Sequence, residues 1–423
     1  MPRSNVDKLR PVILLLAMIT SCASMSVAQA TETVLYNLNA PGSNGGLIFD
    51  QNGNLYGSIT GRGTSYGGIF QLHRFVGGTW GVKILYRFLG GVDGAEPQTN
   101  LIFDSTGNLY GTAALGGSFS CDQIRANVNC GIVFKLTPNP TGKWTKTVLY
   151  NFAGGTDGSL PSGGVIFDEV GNLYGTTAFG GDHIWGTVFE LSPNPDGTWS
   201  NKTLYSFTGG SDGRGPSGGV VRDRAGNLYG TTFAGGNAEN GTVFQLSPNA
   251  DGSWTFRSLY QFCSSPGCRN GARPNPVVLD AHGNLYGTTQ VGGTVGLCFT
   301  QDGCGTLYRL SHGSGGTWTF QLLHKFCSAP ECADGMRPSG GLVFDKLGAF
   351  YGTTMNSVFK VNHVPGTPWS VDTLHTFCLS FPCVDGAFPV GRLLLDSPGN
   401  LYGTTLGGGT APFQDGVVFE LIP

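Results

Sequence analysis

Gly53-Asn-Leu-Tyr-Gly57 is a five-residue phrase that returns at Gly107, Gly171, Gly226, Gly283 and Gly399, with a worn copy, Gly348-Ala-Phe-Tyr-Gly352. The tyrosines of the seven copies, Tyr56, Tyr110, Tyr174, Tyr229, Tyr286, Tyr351 and Tyr402, lie 51 to 65 residues apart. That period belongs to stacked supersecondary units rather than to one irregular globule. Four short segments recur around each phrase in one order. In the third copy they are Gly164-Val-Ile-Phe-Asp168, Asn172 to Thr177, Gly186-Thr-Val-Phe-Glu-Leu191, and Trp199 leading into Leu204-Tyr-Ser-Phe207. All are short, rich in Val, Ile, Thr, Tyr and Phe, and bounded by Gly, Asn, Asp or Pro. No stretch after the first thirty residues sustains a helical period, so the four read as strands. Four strands per unit describe a propeller blade.

The chain ends predict how the ring closes. The last unit stops after its third strand, Gly416-Val-Val-Phe-Glu-Leu421, and lacks the Leu-Tyr-x-Phe strand that finishes the others. Val34-Leu-Tyr-Asn-Leu38 at the other terminus matches that strand. Pairing the two would close the ring and leave its termini without exposed sheet edges. The expected fold is all-β: one seven-bladed β-propeller over residues 31–423, with residues 34–38 joining the last blade. A propeller divides its core among blades, so a domain of this length is permitted.

Charged residues make up 12% of the chain, about half the usual share, and the net charge is −3. No basic stripe offers itself to a phosphate backbone, so nucleic acid is not expected as a partner. Residues 1–30 read as a processing segment: Arg3, Lys8 and Arg10 precede the apolar run Val12 to Ile19, and Ala28-Gln-Ala30 offers a small-x-small cleavage site. Export, to the periplasm, the cell surface or the medium, is the expectation. Ile19-Thr-Ser-Cys22 also fits a bacterial lipoprotein box, which would leave Cys22 lipidated; free secretion is the favoured of the two routes. No second apolar run is long enough to span a bilayer, and a monomer is expected.

Ten further cysteines form five local couples, Cys121 with Cys130, Cys263 with Cys268, Cys298 with Cys304, Cys327 with Cys332, and Cys378 with Cys383. An even count in an exported chain reads as disulfides. Zinc is the rival, because such gaps also suit metal knuckles, but each couple lies on a different connection and a four-thiolate site would need two loops to converge. By analogy with propellers that carry an Asp-x-x-Gly-Asn hairpin, the strand before the hairpin is placed innermost and the strands are lettered A to D toward the rim. All five couples then fall on the face made by the B-to-C loops and D-to-A crossovers. Loops that grow and need staples are the loops that carry binding. The B-to-C connection shrinks to Met355-Asn356 in the sixth blade, which predicts a notch in this rim.

The pattern resembles the tandem GloVer-repeat proteins, a bacterial extracytoplasmic family of the choice-of-anchor kind. The matching residues are the Gly-Asn-Leu-Tyr-Gly-Thr-Thr phrase, Gly-Thr-Val-Phe-x-Leu-Ser-Pro at Gly186 and Gly241, and Leu-Tyr-x-Phe followed by Gly-Gly-x-Asp-Gly-x-x-Pro. The resemblance covers nearly everything after residue 33. It implies an exported repeat protein displayed on or released from the cell, and brings no catalytic residues with it. The chain ends at Glu420-Leu-Ile-Pro423 without a sorting tail, so Cys22 is the expected position of any anchor.

Repetition filters the candidates for chemistry, since a residue present in most blades serves the blade. The aspartates before each hairpin, Asp50, Asp104, Asp168, Asp223, Asp280, Asp345 and Asp396, read as turn residues. The Asp-Gly pairs at Asp93, Asp157, Asp212, Asp334 and Asp385 invite calcium but lack the alternating ligands of a calcium loop, so no cofactor or metal is assigned. Trp80, Trp144, Trp199, Trp254, Trp318 and Trp369 recur at the start of strand D and read as packing residues. His324 and His375 read as packing replacements for the strand-D tyrosine.

The non-repeated residues are the candidate ligand contacts. His183 and Trp185 share a B-to-C loop. Arg214, Arg273 and Arg337 lie on successive crossovers, where guanidinium groups could pair with carboxylates of an acidic sugar or peptide. No serine elbow, His-Glu-x-x-His helix or phosphate loop is present, and no catalytic residue is assigned. The expected function is a non-catalytic binding or interaction module for a carbohydrate or protein ligand. Two alternatives remain open. One is a propeller enzyme, a lactonase, lyase or glycan hydrolase, which needs two or three non-repeated ionisable groups converging at the channel mouth. The other is a structural surface component.

Overall fold

The computed structural model describes residues 30–39, 45–61, 65–98, 100–121, 128–161, 163–216, 218–293, 298, 302–363, 366–411 and 414–423. The export segment expected at residues 1–30, with Cys22, lies outside them except for Ala30. Seven antiparallel sheets of four strands, one carrying an additional short strand, form a seven-bladed β-propeller. In the third blade strands A to D are Val165–Phe167, Leu173–Thr177, Thr187–Pro193 and Trp199–Ser206. Each strand pairs with the next in sequence, the order that short hairpins impose. The A strands of all seven blades line one axial cavity, which puts them innermost. Helical structure among the described residues is confined to three-residue 3₁₀ turns such as Gly91–Asp93.

Closure follows the sequence expectation, with a longer strand. Thr31–Asn37 pairs antiparallel with Val417–Ile422 and becomes strand D of the seventh blade. The seventh blade also meets the first as any two neighbours meet: Tyr402 packs edge-on against Phe49 with centroids 5.1 Å apart, just as Tyr56 meets Phe103 at 5.1 Å and Tyr110 meets Phe167 at 5.0 Å.

The phrase is legible atom by atom. Asp104 Oδ1 accepts the backbone N–H groups of Thr106 and Asn108, while its Oδ2 accepts the Asn108 amide and the Tyr110 hydroxyl. Burial alone would raise this carboxyl, but these donors outweigh it and hold its pKa down at about 2. The second glycine of the phrase is required by close approach: a Cβ on Gly230 would lie 2.5 Å from Cζ of Phe244 on strand C, and Gly403 faces Phe419 in the same way. The strand-D tryptophans pack between blades, Trp144 against Tyr56 and Trp318 against Tyr229.

Candidate functional site

Six crossovers are built around a residue held in the left-handed region immediately before a proline: Glu96, Leu160, Gly215, Arg273, Arg337 and Phe388, with φ between 50° and 65°. The N–H of this residue reaches back to the preceding blade, Leu160 to the Cys130 carbonyl, Gly215 to Trp185 and Arg337 to Cys304. The proline that follows lies on the glycine that opens strand C of that blade, so that a Cβ on Gly186 would meet Pro216 Cδ at 2.6 Å. Crossover and B-to-C loop are further tied by bridges such as Ser159 with Phe179 and Arg214 with Ala234. The two sets of loops therefore form one face.

Five disulfides join the cysteines in the expected local couples. Two of them come together: the sulfurs of Cys298, Cys304 and Cys327 lie within 4.8 Å of one another, so a B-to-C loop and the next crossover do converge between the fifth and sixth blades. The crossover aspartates serve the outer strand. Asp93, Asp157 and Asp212 accept the hydroxyls of Tyr86, Tyr150 and Tyr205, while Asp334 and Asp385 meet Nε2 of His324 and His375 at 2.8 and 3.1 Å. Histidine thus replaces tyrosine by presenting a polar hydrogen at the same place. Asp334 is raised by burial but lowered more by His324 and by Ser328 and Ala329, to about 2.

The sequence-predicted ligand residues are partly brought together. Arg214 lies over the Trp185 ring at 5.1 Å and pairs with Glu239 at 2.9 Å. Trp185 is half-buried and covers Gly209, while His183 stands exposed at the loop tip. Arg273 lies over Phe233 at 5.7 Å. Arg273 and Arg337 share the pre-proline register of their crossovers, whereas Arg214 sits one residue earlier in its own. Arg337 lines the axial cavity.

That cavity has a volume of about 1720 Å³ and opens on the stapled face among Phe233, Gln290, Arg337, Met355, Phe388 and Leu406. Sequence reasoning assigned the five other than Arg337 to no ligand site, and marked Met355 only as part of the shortened sixth-blade connection. Four of the five, Phe233, Gln290, Met355 and Leu406, occupy one repeat position, the residue after the second threonine of the phrase, where the first blade has Thr60 and the third Ala178. Comparing the units at that column would have found them. Among the described residues seventeen large hydrophobic side chains are exposed, and twelve belong to this face, including Phe119, Phe179, Leu379 and Phe381. The other exposed large hydrophobics lie on the hairpin side, so the two faces differ in apolar exposure.

Residues 121–357, more than half of the chain, match the Gloeobacter/Verrucomicrobia repeat, and the chain belongs to that family. No curated protein matches the sequence. Among solved structures, the virginiamycin B lyase of Staphylococcus aureus is similar over 93% of this chain and 99% of its own, with a TM-score of 0.54 and 13% identity. The extracellular domain of a hybrid two-component system protein from B. thetaiotaomicron is similar over 93% of this chain and 41% of its own, with a TM-score of 0.52 and 14% identity. At these identities the likeness is one of fold alone.

Proposed function

We propose that this protein is an exported, non-catalytic binding module that takes a carbohydrate or protein ligand at the channel mouth of its stapled face. The observation that carries the reading is the concentration of exposed apolar side chains on the stapled face, three of which, Phe233, Phe388 and Leu406, line a mouth whose lining differs from blade to blade. A repeated scaffold with a non-repeated rim separates stability from recognition. Export is supported by the disulfides and by the family.

The ionisable groups lining the cavity favour holding over chemistry. Arg337 and Arg392 are cations, Lys346 and Lys360 lie toward the hairpin face, and Asp345 and Asp396 are engaged in hairpin turns. Proton transfer needs groups poised to exchange a proton near neutral pH, and this set is arranged instead to present positive charge.

The test is a glycan-array and envelope-extract binding screen of residues 31–423, oxidised, with and without calcium, beside a Phe233→Ser/Phe388→Ser variant and an alanine variant of Arg214, Arg273 and Arg337. Saturable binding lost in the phenylalanine variant supports the mouth. Binding that survives it, or turnover of a bound glycan, would overturn the reading.

A further inference from the structure

The inner strands do not run straight into the hairpins. In the second blade Ala95 faces Leu115 and Ile102 faces Tyr110, so seven steps of strand A oppose five of strand B. The third, fourth and seventh blades show the same two-residue excess, and the fifth keeps one extra residue. These bulges turn toward the axis and touch one another: a Cβ on Gly218 would meet Pro276 at 2.6 Å, and one on Gly46 would meet the Arg392 carbonyl at 2.6 Å. Small residues are needed where seven backbones converge.

One register position on this ring, four residues before the hairpin aspartate, reads Gly46, Asn100, Gly164, Gly219, Pro276, Gly341 and Arg392 around the axis. Arg392 is its single charged residue. Its side chain starts between Gly341 and Gly46, and the Cβ position of Gly46 lies 3.3 Å both from Arg392 Cβ and from Asn100 Oδ1. Its side chain is exposed to the axial cavity, while the mass of protein around the channel pushes its pKa below the usual guanidinium value. Among the described residues no carboxylate pairs with it. An exposed cation without a paired carboxylate inside a concave channel is open to an anion, since a cleft focuses the field of its charges, and the blade does not require arginine where four others use glycine.

We propose that the axial channel is an oxyanion site in which Arg392 holds a carboxylate or phosphate group of the ligand that enters through the stapled mouth; this rests on the mouth being the binding face. Guanidinium presents paired donors to either group. Arg337 at the mouth supplies a second positive charge on the way in.

The test is calorimetric titration and thermal shift of oxidised residues 31–423 with sodium glucuronate and with inorganic phosphate, against chloride at equal ionic strength. The expected result is saturable binding of at least one, weakened about tenfold or more in Arg392→Gln and in Arg392→Met, and unchanged in Arg74→Gln, an exposed arginine at the end of strand C of the first blade, on the opposite face. The stronger ligand distinguishes an acidic sugar from a phosphate source. Circular dichroism confirms that each variant folds, and the two replacements guard against loss of one to misfolding. No saturable binding of either anion, or equal binding by the Arg392 variants, overturns the site. If Phe233→Ser/Phe388→Ser abolishes binding on the array while Arg392→Gln does not, the mouth stands and only the channel anion falls.

Discussion

At the scale of single residues, the blade is a set of polar and aromatic assignments repeated until one is changed. Strand C places a phenyl ring over the phrase glycine in six blades, with Phe70, Phe134, Phe189, Phe244, Phe359 and Phe419, all buried. The fifth blade has Tyr308 instead, fully enclosed against Gly287, and its hydroxyl makes no hydrogen bond. Burying a hydroxyl without a partner costs more than the packing of its oxygen returns. Tyr308→Phe is expected to stabilise the protein by about 1–2 kcal/mol in urea unfolding; a loss of stability would mean that the hydroxyl is satisfied in solution. The departure is visible in the sequence as one tyrosine in a column of phenylalanines, but its cost is visible only once the neighbours of the hydroxyl are known.

At the scale of elements, the crossover is the device that joins blade to blade. Its proline rests on the glycine that opens the preceding strand C, and its pre-proline N–H bonds back to the same blade. Gly241 has φ of +92°, and a Cβ there would meet Pro274 Cδ at 2.6 Å. Gly241→Ala therefore combines left-handed strain with displacement of the latch, and should cost about 2–4 kcal/mol of unfolding free energy. An effect within about 0.5 kcal/mol of the parent, the range of neutral surface changes, would show that the latch yields freely. Strands and hairpins were readable because their periodicity and turn residues are local. The axial bulge was not, because Gly-Gly before an apolar run reads equally as a turn, and only the register against strand B reveals the extra residues.

At the scale of the whole molecule, closure depends on the strand farthest in sequence from its partner. Glu32 on that strand holds the register that Lys146 holds in the second blade, four residues before the tyrosine. Lys146 pairs with Asp93 at 2.6 Å, an attraction across blades. Glu32 instead faces the charge of Asp385, and burial followed by that repulsion pushes its pKa up to about 7. The folded protein then binds a proton that the unfolded chain releases near pH 4.5, so the contribution of Glu32 to stability falls as pH rises between those values and is lowest above about 7. Glu32→Gln should raise the melting temperature at about pH 8 and leave it nearly unchanged below pH 4.5, where both states are protonated. Equal shifts at both ends would place the effect outside this carboxyl.

The sequence by itself determined the blade count, the strand order within a blade, the pairing of the chain ends and the five cysteine couples. Each is a local signal or a repeated one, and repetition makes a weak propensity unmistakable. The tertiary structure decided which residues meet across blades. It set Arg214 against Glu239 and Trp185, gathered Phe233, Gln290, Met355 and Leu406 into one mouth, and brought Arg392 to the axis beside Asn100 and Gly46. The residues brought together lie up to 346 positions apart, Gly46 from Arg392, and what joins them is the curvature of seven packed sheets, a quantity no single unit encodes.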